Sequence, residues 1–216
     1  MNKWYKKIKS VLIYMSKYIF SVDWFSQHIP LWDYHLKLYK NAPDLNFIEI
    51  GAFQGKASIW LLENILTNDT SKLTCIDTFE GSIEHKINDE YSKLLPSLFD
   101  VFSHNILKFK DRVNIIRDKS QNILHMLPRK SYDFIYIDGD HKASSVIQDA
   151  VLSFYLLKIG GILIFDDYTW GINNENDAKY NLVAPRPAID AFLLLYSEKI
   201  EILHIGMQVV IKKMND

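Results

Sequence analysis

Asn46-Phe47-Ile48-Glu49-Ile50-Gly51-Ala52-Phe53-Gln54-Gly55 is the stretch around which the chain is organised. Phe47, Ile48 and Ile50 favour a strand, and Ala57-Ser58-Ile59-Trp60-Leu61-Leu62 has helical spacing, so the segment reads strand, tight turn, helix. Glycine at 51 and 55 permits a sharp turn with no Cβ between main chain and ligand. The helix that follows points its N-terminal amides at whatever sits there. Glu49, at the strand end, offers a carboxylate to ribose hydroxyls or to an amine. The spacing Glu-x-Gly-x-x-x-Gly lacks the third glycine of the dinucleotide fingerprint Gly-x-Gly-x-x-Gly, which weakens an NAD-linked reading.

The composition, 48% hydrophobic and 24% charged over 216 residues, excludes a disordered chain and suffices for one core with an appendage. A formal net charge of -1 supplies no global attraction to nucleic acid or acidic membrane, so no nucleic-acid partner is expected. Cys75 is the single cysteine, which rules out an internal disulfide and fits a reducing cytoplasm. Near the start, Lys3, Lys6, Lys7 and Lys9 precede the apolar run Val11-Leu12-Ile13-Tyr14-Met15, which Lys17 interrupts with no small-residue cleavage site after it. An amphipathic helix packed on the domain or on a partner is expected there, not a signal peptide. No stretch reaches the ~18 to 20 apolar residues of a transmembrane segment. Trp24, Phe25, Trp32, Tyr34 and Tyr39 then come densely around Pro30, as two short helices over a ligand mouth or as a homodimer surface. Residues 1–43 are therefore read as an N-terminal helical and aromatic segment, and 44–216 as the main domain.

Beyond the opening motif, Lys72-Leu73-Thr74-Cys75-Ile76 reads as a second strand ending in Asp77, near the ~20-residue offset at which α/β nucleotide folds place a ribose-binding acid. Residues 82–111 form an insert whose Tyr91, Leu94, Leu95, Leu98, Phe99, Phe102 and Ile106 recur at helical intervals and read as core. Arg112 to Arg117 reads as the third strand. Ser120 and Gln121 follow, with Ser120 either an N-cap or a polar group facing an adenine edge. Tyr132 to Ile137 is a nearly continuous apolar run, as in a parallel strand covered on both faces, and it ends in Asp138-Gly139-Asp140-His141. A helix over about 142–157 closed by Gly160-Gly161 and a strand over 162–165 ending in Asp166-Asp167 come next. Residues 168–187 read as a mobile loop over that edge, followed by a helix from Pro187 and two strands joined at Gly206. Strand after strand thus delivers a carboxylate to one edge, where open α/β sheets bind ligands.

Four motifs in sequence, Glu49-x-Gly51-x-x-x-Gly55, Ile76-Asp77-Thr78-Phe79-Glu80-Gly81, Asp138-Gly139-Asp140-His141 and Gly160-Gly161-x-x-x-x-Asp166-Asp167-Tyr168, resemble class I S-adenosylmethionine (SAM)-dependent methyltransferases in order and spacing. The likeness is greatest to the bacterial group found among glycan and secondary-metabolite genes, and it covers roughly residues 44–213. It implies an α/β class, with a Rossmann-like seven-stranded sheet, mostly parallel with a C-terminal antiparallel hairpin, flanked by helices. It also implies that Glu49, Gly51 and Gly55, with Ala52, Phe53 and Ser58, line the methionine end of SAM, and that Asp77, with Thr78, meets the ribose. Ser120 with Gln121 resembles the pair beside adenine in catechol O-methyltransferase, and Asp138 would also border the cofactor. That enzyme and its relatives hold a divalent cation at positions matching Asp138, Asp166 and Asp167. His141, three residues after Asp138, falls where they place the lysine or histidine that takes the substrate proton.

The implied activity is methylation of a hydroxyl on a sugar or secondary metabolite, a small-molecule or glycan acceptor. SAM carries an activated methyl, so an enzyme must align an oxygen with it and make that oxygen nucleophilic. Mg²⁺ lowers a hydroxyl pKa, histidine accepts the proton near neutral pH, and three clustered aspartates favour a cation because they otherwise repel one another. Alternatives stay open at each position. Asp138 can bond only the cofactor's amine, Asp166-Asp167 can cap the following loop, and His141 can neighbour the N-cap of the next helix. Asp140 reads as a solvated acid, and His28, His35, His85, His104, His125 and His204 as non-functional. A metal-independent N- or C-methyltransferase and a non-catalytic scaffold are the rival readings.

Overall fold

Seven strands form one sheet in the order β3-β2-β1-β4-β5-β7-β6. They are β1 (Asn46–Ile50), β2 (Lys72–Ile76), β3 (Val113–Ile116), β4 (Tyr132–Ile137), β5 (Leu157–Phe165), β6 (Ile200–Ile205) and β7 (Val209–Lys213). The structure, a computed structural model, describes residues 17–82, 85–86, 88–170 and 184–216. Strands β1 to β5 pair in parallel, whereas β7 runs antiparallel to both β5 and β6. The expected sheet, with its terminal antiparallel hairpin, is the observed one.

Strand alternation sorts the apolar residues onto the two faces. Phe47, Leu73 and Phe134 belong to one buried cluster, and their neighbours Ile48, Ile135 and Leu163 to another. The first cluster is covered by α1 (Ile29–His35), α2 (Lys56–Asn64) and α3 (Leu98–Ile106), through Trp32, Leu61, Leu62 and Phe102. Leu98, Phe102 and Ile106 are buried, as their helical spacing within the insert predicts. The second is covered by α5 (Ala143–Leu156) and α6 (Arg186–Leu195), through Val146, Phe154 and Phe192, with the single turn α4 (Ser120–Ile123) beside α5. Parallel pairing with helical crossovers brings the carboxyl ends of β1, β2, β4 and β5 to one edge.

One expected boundary is corrected. Helix α5 ends at Leu156 and passes directly into β5, so Gly160 and Gly161 lie inside the strand and do not cap the helix. Gly160 has φ +84, beside the register shift between the Tyr132 and Phe134 pairings. The capping role falls to Lys213, whose buried ammonium donates to the carbonyls of Phe154 (3.0 Å) and Leu157 (3.1 Å). Residues 1–16, where an amphipathic helix was expected, and 171–183, most of the expected loop over the edge, lie outside the described residues. Among the described residues no helix is long and apolar enough to cross a membrane.

Candidate active site

Gly51 ends β1 at φ +82, and a Cβ there would stand 1.8 Å from the carbonyl oxygen of Asp138. The first turn and the loop after β4 therefore touch backbone to backbone, as only glycine allows. Asp77 stitches the neighbouring loops together. Its Oδ2 accepts the amides of Ala52 (2.8 Å) and Phe53 (2.9 Å), and its Oδ1 accepts that of Phe79 (2.7 Å). Phe53 and Phe79 hold left-handed φ values of 48° and 56°, uncommon for bulky side chains, and these bonds sustain them. A carboxylate accepts about four hydrogen bonds, so Asp77 retains capacity for a ribose hydroxyl. Thr78 turns its hydroxyl to the amide of Glu80 at 3.2 Å.

Glu49 and Ser58 lie beneath this turn. Glu49 is 1% exposed, and it accepts the Ser58 hydroxyl in a short hydrogen bond and the Cys75 thiol at 3.6 Å. Burial, with a smaller contribution from Asp77, raises its carboxyl to about 8. The folded chain thus keeps a proton that the unfolded chain loses above about pH 4.3. The stability this group contributes is complete below that pH and is lost as pH rises through 8. Glu49→Gln is expected to flatten that decline, seen as a smaller fall in melting temperature between pH 6 and 9.

The acidic edge is denser than the sequence suggests. The Tyr136 phenol contacts Asp138 Oδ2 at 3.0 Å and makes a shorter bond to Asp166 Oδ2. One phenol proton cannot serve two carboxylates. Burial, then the charges of Asp166 and Asp167, hold Asp138 well above the usual carboxylate range, which lets it supply the second proton. Asp166 is raised in the same direction by burial and by Asp167, and it also faces His28 Nε2 at 3.9 Å. His141 Nε2 meets Asp167 Oδ2 at 2.8 Å, and its ring lies 4.9 Å from that of Trp170. Asp138, His141 and Asp167 each offer one atom within 4.8 Å of the others, a grouping able to hold a metal ion. Asp166, expected in that set, instead turns to Tyr136 and His28. Asp138, His141, Asp166 and Asp167, with Ile137 and Phe165, line one cleft. Asp140 accepts the Ser145 hydroxyl at 2.8 Å, at the head of α5.

Ser120 is the first residue of α4, not its N-cap, which is Lys119. Gln121 donates from Nε2 to Asp149 at 3.0 Å. Tyr136, His28 and Asp149 are the participants that the sequence reading passed over. Tyr136 carries a signal, since it stands two residues before Asp138 and so on the same face. His28 carries none, because only tertiary packing brings the N-terminal segment to this edge.

Residues 48–168 match a family model described as a methyltransferase domain. Protein R132 of Acanthamoeba polyphaga mimivirus, an uncharacterised protein, is 29% identical over 126 residues, covering 58% of this chain and 52% of that one. The chain therefore spans about half the length of that relative. Among solved structures, an O-methyltransferase from Bacillus cereus in complex with SAH gives a TM-score of 0.55 at 17% identity, over 99% of this chain and 92% of that one. The MycE methyltransferase of the mycinamycin biosynthetic pathway, in complex with Mg, SAH and mycinamycin VI, gives 0.61 at 15% identity, over 90% and 51%. An rRNA methylase from Streptococcus thermophilus gives 0.56 at 10% identity, over 89% and 100%. At such identities these structures speak for the fold, and they differ in what they act on. The family match takes in more than half of the chain, from Ile48 in β1 through Asp77 and Asp138 to Tyr168, so the chain belongs to the methyltransferase domain family.

Proposed function

We propose that the chain methylates a hydroxyl of a sugar or secondary metabolite, assisted by a divalent cation. The observation that carries this reading is the convergence of Asp138, His141 and Asp167 at the edge where Gly51 presses on the loop after β4. The carboxylate oxygens of Asp138 and Asp167 suit a divalent cation, and such hard oxygens favour Mg²⁺, with the His141 imidazole beside them. Burial, and then the negative charge of the neighbouring carboxylates, raises the proton affinity of Asp138 and Asp166, and such an ion would relieve that charge. Asp138 and Asp167 would hold the ion, which when bound lowers the pKa of an adjacent substrate hydroxyl.

In this reading the glycine turn, with Ala52 and Phe53, seats the methionine end of SAM. Asp77 takes the ribose hydroxyls, and Ser120 and Gln121 border adenine. His141, its ring oriented by the contact of Nε2 with Asp167, accepts the acceptor's proton at its other ring nitrogen. Trp32, fully buried against Tyr136 with ring centroids 4.7 Å apart, steadies the acid pair from the N-terminal side. Residues 1–43 would then serve as cover or oligomer contact for a catalytic domain spanning 44–216, in a cytoplasmic enzyme. One observation favours a metal-independent rival: Tyr136 already bonds two of the acids.

Transfer of labelled methyl from SAM to a panel of hydroxylated sugars and secondary metabolites, run with Mg²⁺ and with EDTA, separates the two. We expect transfer to oxygen that EDTA lowers by about 10-fold or more and Mg²⁺ restores. Equal transfer in EDTA would overturn the role of the cation, and label found only on nitrogen or carbon would overturn O-methylation.

A further inference from the structure

Asp149 sits midway along α5, 1% exposed, and has no place in the reaction outlined above. Its Oδ1 accepts Gln121 Nε2 at 3.0 Å, and the Ser120 hydroxyl is a second donor. Its Oδ2 lies against the loop after β4, 3.7 Å from where a Cβ on Gly139 would stand. One buried carboxylate thus bonds the corner after β3 and lies beside the loop after β4. An ionised carboxylate only accepts hydrogen bonds, so it dictates the amide orientation of Gln121. The NH₂ group must turn inward, which leaves Oε1 at the opposite corner as an acceptor.

We propose that Asp149 is a positioning residue for cofactor recognition, fixing Gln121 so that Oε1 accepts a hydrogen bond from the 6-amino group of adenine and disfavours a 6-oxo purine. The inference rests on the proposed placement of adenine beside Ser120 and Gln121. A 6-oxo base would set its own carbonyl against Oε1, and sites built to pair one polar group reject its mismatch strongly.

A pH dependence follows. Burial, then the charge of Asp140 in the loop after β4, raises the Asp149 carboxyl to about 7, opposed by the neutral donors Ser120 and Gln121 on α4. Protonated Asp149 can donate, which frees the amide to reverse. Discrimination therefore strengthens as pH rises through about 7.

The test is calorimetric titration of the full chain with S-adenosylhomocysteine and with its 6-oxo (hypoxanthine) analogue at pH 6 and pH 8. Wild type is expected to favour the adenine compound about 10-fold at pH 8 and less at pH 6. Asp149→Asn should remove the change with pH, and Asp149→Ala should bring the ratio toward one, with melting curves checking that both fold. Gln121→Leu leaves the buried acid in place and should also lose the discrimination, so it decides the matter should neither Asp149 variant fold. Equal binding of both compounds by wild type, or unchanged behaviour in the variants, overturns this proposal alone. Failure of wild type to bind S-adenosylhomocysteine overturns it together with the cofactor placement.

Discussion

Gly51→Ala is expected to abolish SAM binding and to destabilise the fold by about 3 kcal/mol or more. The added Cβ would stand 1.8 Å from the Asp138 carbonyl oxygen and 2.5 Å from its carbon, both main-chain atoms that no rotamer change can move aside. The left-handed φ of +82 adds about 1 kcal/mol for any residue with a Cβ. Relief requires β1 and β4 to separate at their carboxyl ends, where the cofactor turn and Asp138 must stay in register. Thermal melts should show a loss of about 6 to 12 °C, on the scale of 2 to 4 °C per kcal/mol for a chain of this size, and no recovery on adding S-adenosylhomocysteine. Gly55→Ala is a milder contrast, because the nearest atoms there are side-chain atoms of Phe102 at 3.0 Å and not main chain, although φ +81 strains a Cβ there as well. A Gly51→Ala protein that melts and binds like wild type would show that the two loops are not in contact.

His141→Ala is expected to reduce turnover by about 10² to 10⁴-fold while leaving cofactor affinity within about threefold of wild type. The imidazole lines the cleft with Nε2 on Asp167, whereas the Ala52 and Phe53 amides are held by Asp77. Its removal should therefore take away proton transfer and little else. Single-turnover kinetics against a titration with S-adenosylhomocysteine separate the two quantities, and the pH-rate profile should lose its acidic limb. A parallel loss of affinity would instead place His141 in the cofactor site. Unchanged turnover would remove it from the chemistry.

The strand, turn and helix at 46–64 were legible because two glycines between an apolar run and a helical run leave one chain path. The apolar run of β4 was legible for a similar reason, since it must be covered on both faces. The junction of α5 with β5 was not. Two glycines after a helix read locally as a cap, while the group that satisfies its last carbonyls, Lys213, arrives from the far end of the chain. The same limit applies at the acidic edge. Spacing marks Asp138, Asp166 and Asp167 as candidates, but which carboxylate faces the others depends on the Tyr136 phenol and on His28, carried in by the N-terminal segment. Asp149 was invisible for a related reason, because a lone acid on a helix reads as solvated until α4 is seen to pack over it.

The central claim is that carboxylates from separate strands frame one pocket for a sulfonium nucleoside, and calorimetric titration of the wild-type chain with S-adenosylhomocysteine tests it most directly. The expected result is saturable binding with one site per chain and a dissociation constant on the order of micromolar, lost on Asp77→Ala. No heat of binding at millimolar ligand, from protein shown by melting to be folded, would contradict it.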